Sequence, residues 1–273
     1  KYGPDGGVYL TDWSDTGECH DYDSVHGVHR ESGRIFKVTH GTPRSAHVDL
    51  AKLSDAELVQ SQFSKNDWHV RHARRLLQER AVAGRDMKDV HRRLWETFAI
   101  TGDAPQLLRA IWALHVTDGL NVEALTKLLE HENEHVRAWA VRLIVEDRQP
   151  LAQEADRNGF ARFVALAVQD PSPFVRLNVA AALQRIPIEQ RWTIASGLVS
   201  HSEDADDANL SLMIWYGIEP LVSADRATAA GLAGRCKIPL IRRFLARRIV
   251  LEPDRQATAN EPPSGLAALI HVI

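Results

Sequence analysis

The stretch HENEHVRAWAVRLI, residues 131–144, decides the fold, because a polar turn runs straight into a helix-period apolar stripe behind a Val-Arg pair. In it Val136, Ala140, Leu143 and Ile144 fall at i, i+4, i+7 and i+8, one face of a helix. The same order recurs in KNDWHVRHARRLL (65–77) and DPSPFVRLNVAAAL (170–183), with weaker copies at Leu108-Arg109-Ala110 and Ile241-Arg242-Arg243. Arg71, Arg109, Arg137, Arg176 and Arg242 are separated by 38, 28, 39 and 66 residues, and the last gap leaves room for a degenerate unit around Ala208 to Trp215. The mean period of about 34 residues is that of a helical solenoid, in which helix pairs too apolar to stand alone stack into a continuous core.

Turn chemistry supports this reading. Ser54 precedes DAELV and can cap the orphan amides of a helix. Asp170 and Pro171 are expected to stop one helix and start the next. The alanines at 180–182 permit close helix contact, and Trp112, Trp139, Trp192 and Trp215 are expected to pack into the core with the indole N–H at its rim.

Outside the repeats the pattern changes. GVYLTDW (7–13) and GRIFKVT (33–39) alternate like strands and are joined by a connection rich in Asp, His and Gly. A lone strand pair cannot bury a face, so it needs further strands or must lean on the helices. The expected organisation is residues 1–45 as strands and loop, 46–252 as helical repeats, and 253–273 as a Pro-containing linker and a helix that runs off the end of the chain.

The composition is globular, with 44% apolar and 25% charged residues and a net charge of −3, so nucleic acid is not favoured as a partner. Two distant cysteines, Cys19 and Cys236, support neither a disulfide framework nor a zinc finger. No apolar run reaches the length of a membrane span. No catalytic constellation emerges.

The loop TDWSDTGECHDYDSVHGVHR is the one dense set of donors. Asp15, Glu18, His20 and Asp23 are candidate cation ligands, although the spacing matches no standard motif. A solvated loop with local hydrogen bonds remains the alternative. The pair His131 and His135 lacks the order of a zinc-protease helix, and capping accounts for it better. The basic runs at 71–75 and 242–248 interleave with Leu76, Leu77, Phe244 and Leu245, the pattern of a solvated face beside a core face.

The Val-Arg pairs resemble the HEAT repeat signature over residues 50–250, which implies a right-handed α-solenoid of HEAT or armadillo-like hairpins. In such repeats the arginine bonds turn carbonyls or a neighbouring unit's Asp, a structural role for Arg71, Arg137 and Arg176. The stretch VYLTDWSDTGECHDYDSVHGVHRESGRIFKVTHG (8–41) resembles the end of the propeller domain, similar to glucose and sorbosone dehydrogenases, of large planctomycete and verrucomicrobial membrane-bound dehydrogenases. Asp12-Trp13 and Gly33-Arg34-Ile35-Phe36-Lys37-Val38 match its terminal motifs, while His26-Gly27 interrupts the expected run into His29-Arg30. That family places HEAT-like repeats after the propeller, and many members end in a C-x-x-C-H haem module. The resemblance implies that this chain is a piece of a longer, exported or periplasmic protein that oxidises a sugar-like alcohol with a quinone cofactor and c-type haem. The remaining blades and the haem module are absent from this sequence, so the segment itself is expected to hold no cofactor and to perform no dehydrogenation. It would act as a connector whose partners are other domains of the same protein. A stand-alone scaffold that binds another protein is the alternative.

Overall fold

A computed structural model describes residues 1–12, 33–42, 47–146, 157–251 and 269–270. The chain is mostly α: among the described residues twelve α-helices accompany one two-stranded antiparallel sheet. It divides into two compact units, Lys1–Gly119 and Leu120–Ile273.

In the first unit β1 (Val8–Thr11) pairs with β2 (Ile35–Val38), Val8 opposite Val38 and Thr11 opposite Ile35. Tyr2 bridges to the other side of β1 at Val8. Four helices follow: α1 (Asp55–Ser61), α2 (Asp67–Val82), α3 (Lys88–Ile100) and α4 (Ala104–Val116). Consecutive helices pair as hairpins, α1 with α2 and α3 with α4, while α1 packs on α3 and α2 on α4. Leu58, Val70, Leu77, Leu94, Ile111 and Leu114 are fully buried between these two layers, each worth about 1.5–3 kcal/mol of apolar burial.

Ser54 caps α1 through a reciprocal capping box with Glu57. Asn66 does double duty. Its side-chain oxygen accepts from the Trp68 amide to cap α2, and its Nδ2 donates to the carbonyls of Gly3 and Pro4. The N-terminal segment thus leans on the start of α2.

The second unit repeats the arrangement four times. Its helices are α5 (Val122–Leu128), α6 (Glu134–Ile144), α7 (Arg157–Gln169), α8 (Pro173–Ala182), α9 (Ile188–Leu198), α10 (Ala208–Val222), α11 (Arg226–Arg235) and α12 (Pro239–Leu251). The second helices form one row, α6 on α8, α8 on α10 and α10 on α12, and α5, α7 and α9 form another. Val136, Val175, Leu210 and Ile241 are fully buried at matching positions early in the second helices. The degenerate copy is therefore α10, where Leu210-Ser211 stands in place of Val-Arg.

Three sequence expectations change. Ser172, not Asp170, caps α8, and the proline in its first turn is Pro173 rather than Pro171. Asp170 has another use described below. Of the alanines at 180–182, Ala180 and Ala182 are buried but Ala181 is exposed. Trp112, Trp139, Trp192 and Trp215 are all half-buried rather than enclosed.

Candidate functional site

The candidate ligands Asp15, Glu18, His20 and Asp23 lie outside the described residues. Among the described residues no group of three or more His, Cys, Asp or Glu side chains could hold a metal ion, and no helix is long and apolar enough to cross a membrane.

The repeat arginines separate into two kinds. Arg137 sends Nε and Nη2 to both oxygens of Asp170, at 2.7 and 2.9 Å, and Nη1 to the carbonyls of His131 and Glu132 in its own turn. Arg176 repeats this one unit later, reaching both oxygens of Asp204 at 2.7 and 2.5 Å and its own turn's carbonyl at Asp170. Asp170 thus accepts from Arg137 through its carboxylate and from Arg176 through its backbone, and its Oδ1 also accepts the Ser172 amide. A ladder Arg137–Asp170–Arg176–Asp204 runs from turn to turn. Both Arg176 and Asp204 are nearly inaccessible, and the hydrogen bond to Asp204 raises the Arg176 pKa. Among the described residues Arg242 makes only the own-turn bonds, to the carbonyl of Cys236. Arg71, by contrast, is exposed, paired with Asp67 on its own helix and stacked on Tyr2. In its unit the turn is tied by Arg109, which donates to the Ser64 carbonyl and to Asp67.

Three concavities are candidates for ligand binding, and the charge pairing within them differs. The first, about 330 Å³, lies among the turns of the second unit around Glu130, His131, Arg137, Arg162 and Asp170; its arginines are already paired, Arg162 with Glu130 and Arg137 with Asp170. Burial pushes His131 below its ordinary pKa. The second, about 520 Å³, is walled by Tyr2, Tyr9, Trp68, Arg71, His72 and Arg75 in the first unit. Arg71 and Arg75 are each paired one turn away on the same helix. His72 stacks on Trp68 with ring centres 4.1 Å apart, and burial, then Arg75 and Arg71, lower its pKa.

The third, about 750 Å³, lies across α6, α8 and α10. Its floor is apolar: Trp139, Leu143, Phe174, Leu177, Ala181 and Met213. Polar groups stand around it, among them one carboxylate, Glu146. Asn178 donates Nδ2 to the Phe174 carbonyl, which leaves its Oδ1 for another donor, and Asn209 also lines the groove. Arg142 lies over the Trp139 ring, 4.3 Å from its centre, and Arg185 reaches only the Val145 carbonyl at 3.4 Å. Both guanidiniums are exposed, and neither is paired with a carboxylate among the described residues.

Sequence reasoning passed over this groove because it assigned Trp139 to the core. A usable signal exists. The third residue after each buried Val, Leu or Ile of the repeat is Trp139, Asn178, Met213 and Phe244, and the first three of these, on successive second helices, line the groove.

No family model and no curated protein matches this chain.

Proposed function

We propose that the chain is a connector, in which a short sheet belonging to a larger β-domain passes into a helical-repeat spacer with no catalytic machinery of its own. The observation that carries the reading is the β1–β2 pair. All eight of its residues are exposed, among them Val8, Leu10, Ile35, Phe36 and Val38, so among the described residues its apolar side chains enter no core. A two-stranded sheet of this kind is marginal in water, and further strands or a covering layer would supply the missing burial. The Arg–Asp ladder supports the second half of the reading, since bidentate bonds from turn to turn hold successive helix pairs in fixed register.

With the resemblance of residues 8–41 to the last blade of a propeller dehydrogenase, the connector joins that propeller to a haem module, and the helical repeats set the separation of the two redox centres. Oxidation of the sugar-like alcohol belongs to the longer protein.

Amide hydrogen exchange tests the reading. In the longer gene product that it requires, the amides of residues 8–11 and 35–38 become strongly protected, whereas in the 273-residue chain they exchange quickly. Equal, rapid exchange in both proteins would end the connector reading.

A further inference from the structure

The groove over α6, α8 and α10 has a chemistry that the connector role does not use. Its floor of Trp139, Phe174, Leu177 and Met213 is suited to apolar side chains, and its length spans three successive second helices. Two amide side chains, Asn178 and Asn209, stand along it, and an amide can serve a peptide backbone N–H and C=O together. Arg142 and Arg185 supply two exposed guanidiniums without a carboxylate partner among the described residues. This sets the groove apart from the other two concavities, whose arginines are already paired.

We propose that this groove binds an extended, acidic peptide segment: Asp or Glu on Arg142 and Arg185, flanking Leu, Ile or Phe side chains in the apolar floor, and the backbone on Asn178 and Asn209. Charge complementarity selects this occupant, because two arginines against the single Glu146 leave the groove net positive beside its apolar trough, a match for a short segment that alternates acidic and apolar residues. Single-stranded nucleic acid fits less well. Of the two aromatic rings in the groove, Trp139 is already covered by the Arg142 guanidinium and Phe174 meets His135 edge-on, and two guanidiniums neutralise few phosphates. The inference needs only the second unit, so it stands or falls separately from the connector reading.

The test is selection from a random nine-residue peptide display library on the 273-residue chain, followed by affinity measurement with synthetic peptides of the selected sequence. Selected peptides are expected to carry Asp or Glu next to bulky apolar residues. Their affinity should fall about tenfold or more in the R142E/R185E variant, whose substituted side chains are exposed and leave the circular dichroism spectrum and melting temperature unchanged. A second variant, Ala181→Glu, puts a carboxylate on an exposed position of the groove floor and should abolish binding without touching the core. The proposal is overturned if no acidic-apolar consensus emerges, or if the selected peptides bind R142E/R185E and A181E as well as the parent. It is overturned equally if an oligouridylate binds more tightly than any selected peptide and loses affinity in the same variants.

Discussion

Arg176 and Arg71 occupy the same place in the repeat pattern and have opposite energetic weight. Arg176 is 3% exposed and faces an Asp204 that is 2% exposed, so Arg176→Ala leaves a buried carboxylate without its cation. Breaking such a pair costs about 3 kcal/mol or more. The urea midpoint should drop accordingly, whereas Arg71→Ala, which removes an exposed bond within one helix, should leave it almost unmoved. A similar drop in both variants would show that the ladder has no special weight. The sequence could not separate the two arginines, because the distinction depends on what stands opposite. Asp204 lies 28 residues from Arg176 within SEDADD, where nothing in the pattern marks it over Asp206 or Asp207. Asp170 looked like a helix cap for the same reason. Asp and Ser are both good caps, and only the packed turn shows that Ser172 takes the cap while Asp170 holds Arg137.

Among elements, α10 and α11 test what a glycine is for. Gly217 lies where α10 meets Leu183, and an added Cβ would stand 2.6 Å from the Leu183 Cβ. Leu183 is fully buried and cannot step aside. Overpacking of this sort costs about 1–3 kcal/mol, more than the gain of about 1 kcal/mol that Ala brings to a helix interior. Gly217→Ala should therefore lower the melting temperature. Gly231 in α11 meets nothing nearer than the flexible end of Arg235, at 3.6 Å, so Gly231→Ala should raise it. If both substitutions shift it the same way, close approach does not govern α10. Element positions were largely readable from the sequence. The strands read at 7–13 and 33–39 contain the observed Val8–Thr11 and Ile35–Val38, and Ser54 caps α1. The strong Val-Arg pairs sit near the starts of α2, α6 and α8. What periodicity could not reveal was the outward face. A stripe of Trp139, Asn178 and Met213 has no apolar period of its own and becomes a surface only when three helices lie side by side.

For the molecule as a whole, acidity should act in two separate windows. His72 and His131 have pKa values lowered chiefly by burial, so folding favours their neutral forms. The unfolded chain binds their protons near its ordinary value of about 6.5, and the stability they contribute is complete above that pH and declines as pH falls below it. Asp89, Glu123 and Asp225 have pKa values lowered by hydrogen bonds from Arg93, Lys127 and Thr228 respectively, and their contribution is lost only below the ordinary carboxylate range, near pH 4. Between pH 7.5 and 5.5 the urea midpoint should fall in the parent chain and fall less in the His72→Asn/His131→Asn variant. An unchanged pH dependence in that variant would remove the histidines as its source.

The exposed β1–β2 pair also bears on how the isolated chain behaves in bulk. Among the described residues no strand pairs with the outer edge of β2, which offers backbone donors and acceptors beside Ile35, Phe36 and Val38, a template onto which a second molecule can add a strand. Lys37 and Arg34 place positive charge at this edge, and each is tied to an aspartate flanking β1, Lys37 to Asp5 and Arg34 to Asp12, which blunts its repulsion of a second copy. Concentrating the 273-residue chain is therefore expected to promote edge-to-edge association, which light scattering against protein concentration would register.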